Sequence, residues 1–502
     1  MSTNESVLKS TPGVSIQAAK SLQDRINRKP FAYLGSGPGL SVAAAMMLFC
    51  VLVGVSTWAA QDPVGYEQIH AFLGGTTDGA YLNDPVIEGR DGRLYGATIN
   101  GGSIDGGVVF AMAKDGSGYV ILHDFTGSAE DGISPWGGVI QGQDGKLYGA
   151  TRRGGAQDVG VVFSLGTNGT GFTIVRSFTT NANDGAYPLN TVIQGSDGRL
   201  YGRTLSGGTN NGNSIFGLGT NGAGYALLHT FSVGLPFSDD SFSGLVEGSD
   251  GLLYGTTYRD GIYTNGSVFR LNKDGTGFQT LRSFKRSATE GGYPYGSVYE
   301  TREGVLYGTT SAGGPNDYGM LYRMNRDGTG FAVLRYFVST SDEGYLPVAA
   351  PVEGPGGLLY GTTYYDSLQE AGTVYCVGKD GSGFTILHRF ASQLPEGTQP
   401  NARMIWGSDG ALYGTTFSGG RPVSGGVFRI KPVALLGRQA AGHFTVRFEG
   451  FASQVYELDS ADHLSSSWAT ITTVTNITGT VEWSDPSPGA AMQFYRARVL
   501  NP

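Results

Sequence analysis

The tripeptide Leu-Tyr-Gly places its tyrosine at Tyr95, Tyr148, Tyr201, Tyr254, Tyr307, Tyr360 and Tyr413, and every interval is 53 residues. No copy slips by a residue, so the seven units between residues 61 and 431 must build one supersecondary piece seven times. Other columns keep the same step. A threonine follows each tyrosine by three residues, from Thr98 to Thr416. A phenylalanine column runs Phe72, Phe125, Phe178, Phe231, Phe284, Phe337, Phe390, and an aromatic column six residues earlier runs Tyr66, Tyr119, Phe172, Tyr225, Phe278, Phe331, Phe384.

The unit at residues 135–187 shows what each copy encodes. Apolar runs at 136–141, 146–151, 161–165 and 172–178 are separated by Gln143-Asp144-Gly145, by a glycine-bearing loop, and by Thr167-Asn168-Gly169-Thr170-Gly171. Asp-Gly and Asn-Gly pairs tolerate the positive φ of hairpin turns. Four short antiparallel strands in about 50 residues are one propeller blade. The chain enters the array with a lone fourth-strand sequence, 66–72, and leaves it after a third-strand sequence, 426–430. Joined, these two orphans complete a blade and remove both open edges. The expected fold is therefore mainly β: a seven-bladed β-propeller of four-stranded blades, closed by an N-terminal strand, over residues 61–431. Glycine, 83 of 502 residues, suits many tight turns, and 27 Tyr with 25 Phe supply a core that a disordered glycine-rich chain would lack.

The pattern Asp-Gly-x-Leu-Tyr-Gly-x-Thr, then Gly-Gly, Val-Phe and Asp-Gly-Ser/Thr-Gly-Phe/Tyr closely resembles the GloVer tandem repeat. That resemblance implies an exported bacterial protein of the "choice-of-anchor" group, with a propeller-like fold and no assigned activity. The chain printed here ends at Asn501-Pro502 without a hydrophobic segment and basic tail, so a C-terminal sorting anchor is not expected.

Residues 432–502 break the period. Runs at 444–448, 455–458, 468–474, 481–483 and 494–499 read as five strands of a small immunoglobulin- or fibronectin-like sandwich. Its Tyr456, Leu458, Trp468, Phe494, Tyr495 and Arg496 resemble a skeleton found in C-terminal modules of exported bacterial proteins. At the other end, Lys20, Arg25, Arg28 and Lys29 precede residues 40–60, which carry no charged side chain. This is the layout of a cytoplasmic n-region with a signal peptide or signal anchor. The expected location is periplasmic, cell-surface or secreted, with membrane contact only through residues 40–60 if they stay uncleaved. A net charge of −8 without any basic run disfavours a nucleic-acid partner. Two cysteines, Cys50 and Cys376, provide neither a disulfide framework nor a thiolate metal site. No cofactor or metal is expected, and the chain should be a monomer.

One column is polar among apolar neighbours: His70, His123, Arg176, His229, Arg282, Arg335, His388. Eight residues later stands an acid, Asp78, Asp131, Asp184, Glu290, Glu343, Glu396, with Phe237 the exception. Arginine is not an ordinary metal ligand, and outer strands of different blades cannot converge on one ion. The pairing reads as a structural clamp from the outer strand to the following loop. Each Asp-Gly turn offers one carboxylate, too few for calcium.

A reaction centre must break the sevenfold symmetry. The main departures lie between second and third strands: Arg152-Arg153, Tyr258-Arg259-Asp260, and Tyr364-Tyr365-Asp366. Exposed tyrosine and arginine are common in binding hot spots and sugar-stacking platforms. No catalytic set is assigned. The expectation is a non-catalytic scaffold for a protein or glycan ligand. The alternatives are a carbohydrate-active hydrolase or lyase with its acid and base at the channel mouth, and a structural envelope component.

Overall fold

A computed structural model describes residues 65–208, 212–231, 244–339, 343–354, 357–391, 396–419 and 423–431, together with strands between 438 and 499. The N-terminal basic and apolar segments lie outside the described residues. Among the described residues no helix is long and apolar enough to cross a membrane.

The array is a seven-bladed propeller. In the second unit the strands Val139–Gln141, Leu147–Thr151, Val161–Leu165 and Thr173–Ser177 form one antiparallel sheet in chain order. Units one and three to six repeat that order, the third with an extra short strand paired onto it. The seventh blade takes Ile405–Trp406, Leu412–Thr416 and Gly426–Lys431 from the end of the array, and Gly65–Ala71 from its beginning. Tyr66 stands opposite Ile430 and Gln68 opposite Phe428, so the ring is shut by antiparallel pairing. Across the seam the Arg429 guanidinium binds Glu67 at 2.6 Å, and Ser408 donates through its amide and hydroxyl to Glu88.

The Leu-Tyr-Gly tripeptide is buried in every blade, on a strand flanked on both sides by neighbours of its sheet. In five blades its tyrosine hydroxyl donates to the aspartate of the preceding turn, as in Tyr148 to Asp144 at 2.7 Å and Tyr201 to Asp197 at 2.6 Å. Its glycine is needed for space. A Cβ on Gly255 would lie 2.5 Å from Cζ of Phe269 on the paired third strand, and the equivalent collision recurs in all seven blades. The third-strand ring therefore lies across the glycine, and alanine there would overpack the blade.

Every third–fourth strand ladder carries a β-bulge one residue before the His/Arg column, for example at Leu122 before His123. A bulge re-aims the side chain that follows it. Beyond the propeller, Arg438–Ala440, His443–Glu449 and Thr480–Ser484 form one three-stranded antiparallel sheet, and Val455–Ala461 pairs with Ala469–Thr475 and Phe494–Val499 in a second. Arg438–Ala440 is a strand that the sequence pattern does not announce.

Phe72 sits at the seam, fully buried among residues of the first blade and the seventh. Phe72→Ala should cost ~3–5 kcal/mol in denaturant-induced unfolding. Loss well under 1 kcal/mol would show that the seam does not carry the ring.

Candidate functional site

The His/Arg column has an aromatic partner at every blade boundary and, except at His229, an acidic one as well. Along its own chain it meets the acid eight residues on: His70–Asp78 at 3.2 Å, His123–Asp131 at 2.9 Å, Arg176–Asp184 at 2.7 Å, Arg282–Glu290 at 2.6 Å, His388–Glu396 at 3.7 Å, and Arg335 with Glu343. The acid also accepts from the amide of the loop, as Thr126 to Asp131 at 2.9 Å. These contacts hold the Asp78 and Asp131 carboxyls below the ordinary range, against burial, which pushes them up.

Across the blade boundary the same side chain lies flat on the next blade's aromatic column. Ring centroids are 4.2 Å apart for His70 on Tyr119, 3.8 Å for His123 on Phe172 and 3.8 Å for His229 on Phe278. The guanidinium carbons of Arg176, Arg282 and Arg335 lie 3.4, 3.9 and 3.7 Å from the centroids of Tyr225, Phe331 and Phe384. His388 closes the set on Tyr66 at 3.7 Å. All seven boundaries carry this stack.

The departures from symmetry lie on one face. Short ribbons such as Gly132–Ile133 with Arg153–Gly154, and Gly344–Tyr345 with Tyr365–Asp366, tie the acidic loops to the loops after the second strands. Arg152 lies over the Trp136 ring at 4.5 Å, while Arg153 is exposed and paired with Asp158 inside its own loop. Tyr258 stacks on Tyr293 at 5.0 Å and meets Tyr295 edge-on, with Arg259 above Tyr258 and Tyr293. Tyr364 donates to Gln399 and stands edge-on to Tyr365, which in turn meets Tyr345. Asp366 is 1% exposed and accepts from the amide of Ala371 at 3.0 Å, so it holds its loop from within. Asp260 acts electrostatically on Arg203 and His229, in the unit where Phe237 replaces the clamp acid. Phe237 itself lies outside the described residues.

Around this face six described positions one repeat apart hold a left-handed backbone conformation, among them the bulky Tyr81, Tyr187, Tyr293 and Leu346. Non-glycine residues there are strained. Their amides and carbonyls bind the neighbouring loops, as Ser424 O accepts from Tyr81 and Tyr81 O from Ile99, and this enforces the strain. Just past these turns the first strands line the central channel, whose cavity is about 180 Å3.

The profile of the Gloeobacter/Verrucomicrobia repeat matches residues 59–241 and 240–481. The chain belongs to that family. In this repeat protein the matched span runs past the last blade into the C-terminal strands. A search of curated proteins finds no match. Among solved structures, one described as the extracellular domain of a hybrid two-component system of B. thetaiotaomicron is 11% identical, with a TM-score of 0.45. It covers 87% of this chain, which spans only 58% of that chain's length. A nidogen/laminin complex is 14% identical over 57% of this chain and 88% of the other, with a TM-score of 0.34. TolB of Acinetobacter baumannii is 13% identical over 61% and 63%, with a TM-score of 0.35.

Sequence reasoning missed two sets of residues. The stacking partners were visible as two columns of equal period, one cationic or imidazole, one aromatic, offset by 49 residues. The channel residues Asp84, Asn190 and Arg403 were visible as departures at the start of the first strands, a place where only the innermost strand position gives them meaning.

Burial holds the pKa of His229 below its usual 6.5. As pH falls through 6.5 the unfolded chain takes up this proton first, so stability drops. The advantage of wild type over His229→Gln in unfolding free energy should therefore shrink as pH falls below 6.5. A constant gap from pH 7.5 to 5 would contradict this.

Proposed function

We propose that this repeat protein is an exported binding scaffold that presents the channel-mouth face to a glycan or protein ligand. The carrying observation is the distribution of apolar side chains. Among the described residues, Leu73, Tyr81, Ile104, Ile262, Tyr263 and Leu368 are large, apolar and exposed, Ile262 to 84%, and all stand on loops of that face. Val120, on an outer strand, is the one such residue elsewhere. Concentrated apolar exposure on an otherwise polar surface marks an interaction site. The rings of Tyr258, Tyr293, Tyr364 and Tyr365 stand among these loops with Arg259, the chemistry of a sugar-stacking or hot-spot surface.

The same face is where unit-to-unit variation is greatest, while the clamp, the stack and the Leu-Tyr-Gly strand repeat. A scaffold that keeps its frame and varies one rim is built for recognition. Export rests on the basic segment and the apolar residues 40–60, which serve as signal peptide or anchor. A hydrolase or lyase would place an acid and a base at the channel mouth. The channel lining among the described residues holds one carboxylate, Asp84, already engaged by the amides of Gly138 and Thr191.

Binding of the full chain to a glycan array should be abolished by Tyr364→Ala combined with Tyr365→Ala, with the melting temperature of the double variant kept. Undiminished array binding by that variant would remove the rim from the reading.

A further inference from the structure

The central channel holds polar groups that the fold itself does not use. Asn190, in the third blade, is 4% exposed, and neither its Oδ1 nor its Nδ2 has a hydrogen-bond partner. Leaving a buried amide unsatisfied costs ~1–3 kcal/mol per group, and folded proteins rarely tolerate it without a reason. Asn401 spends its Nδ2 on Asn83 at 2.9 Å and leaves Oδ1 unsatisfied. Arg403 lines the same cavity and has no carboxylate within ion-pair distance among the described residues. Its guanidinium carbon lies 5.7 Å from the Tyr299 ring centroid, and burial lowers its pKa. Asp84 contributes the balancing charge without touching it, since Gly138 N, Thr191 N and the Thr191 hydroxyl hold its Oδ2.

These groups share one cavity of about 180 Å3 with apolar walls that include Val139, Val192, Leu245 and Val348. That volume admits a small molecule rather than a single water. A confined apolar pocket with a few convergent polar groups is the usual form of a small-ligand site.

We propose that the channel binds a small carboxylate that also carries a hydroxyl or amide group. The Arg403 guanidinium takes the carboxylate, for which its planar fork is suited. Asn190 offers a donor and an acceptor to a neighbouring hydroxyl or amide, and Asn401 Oδ1 offers a second acceptor. Two sources share this chemistry: the acidic sugar at the end of a glycan, and a free hydroxy acid. The site is separate from the rim and does not depend on the rim binding anything.

The test is titration calorimetry of the full chain with sodium glucuronate, sodium lactate and neutral glucose, each to ~10 mM, where even a weak small-molecule site saturates. Glucuronate should bind saturably and glucose should not. Glucuronate without lactate assigns the acidic sugar, and binding of both assigns the hydroxy acid. Arg403→Gln should weaken glucuronate binding by at least about tenfold, the loss of one charge-assisted hydrogen bond. Asn190→Leu should weaken it comparably while leaving the melting temperature unchanged or raised, because it removes an unsatisfied buried amide; a purely structural asparagine would give a lower melting temperature with binding intact. No saturable binding of either acid, equal binding of glucose, or full affinity in Arg403→Gln would overturn the proposal.

Discussion

At each boundary between blades a flat imidazole or guanidinium lies against an aromatic ring of the next blade, and at six of the seven an acid eight residues on holds its far side. Such a contact contributes ~0.5–2 kcal/mol beyond the area it buries. Its importance here is geometric. The side chain is fixed at one end and flat at the other, so it sets the spacing and angle between blades as well as attracting them. Repeated with the same residues at the same offset, it gives seven equal steps. Equal steps of the right size close, and the last ring, Tyr66 under His388, is supplied by the strand that enters before the first blade. A mixture of histidine and arginine is tolerated because both are planar, donate to carboxylates, and stack.

That tolerance explains why the column looked chemically ambiguous in one dimension. Histidines with acids eight residues away suggest a proton or metal site until the arginine substitutions are noticed. The repeat number, the strand order and the closing strand were all legible, because a period of 53 and two orphan strands leave little freedom. The bulge before each His/Arg was not legible. Nothing marks Leu122 or Val175 as the extra residue, since a bulge is a property of two strands in register. The reason for the glycine in Leu-Tyr-Gly was hidden likewise, as it lies in a ring ten or more residues away, Phe163 over Gly149.

The third unit lacks the clamp acid. Phe237-Ser238 replaces the acid-glycine pair, leaving His229 stacked on Phe278 with no carboxylate eight residues on. Here alone the column from Ala97 carries arginine. Arg203 is buried, binds the Thr256 carbonyl at 2.9 Å, and its pKa is lowered to about 10. Asp260 favours the charged forms of both Arg203 and His229. This acid, from the second–third loop, opposes burial at both groups without the direct contact that the clamp acids make elsewhere.

Symmetry separates the two kinds of residue in this protein. Columns kept in every unit touch other kept columns, the glycine with a third-strand ring and the cation or imidazole with an aromatic ring, while the turn aspartate is absent from two units and the clamp acid from one. Residues that break the columns lie on the rim or in the channel, and several are held at a cost, as with Tyr293 in a left-handed turn and Asn190 without partners. A ring of seven similar joints can absorb such costs because every boundary carries its own stack. Two of the unmet amides, those of Asn190 and Asn401, face the axis that all seven blades share. A single ligand-sized cavity on that axis can be lined by different residues from each blade while the frame stays the same.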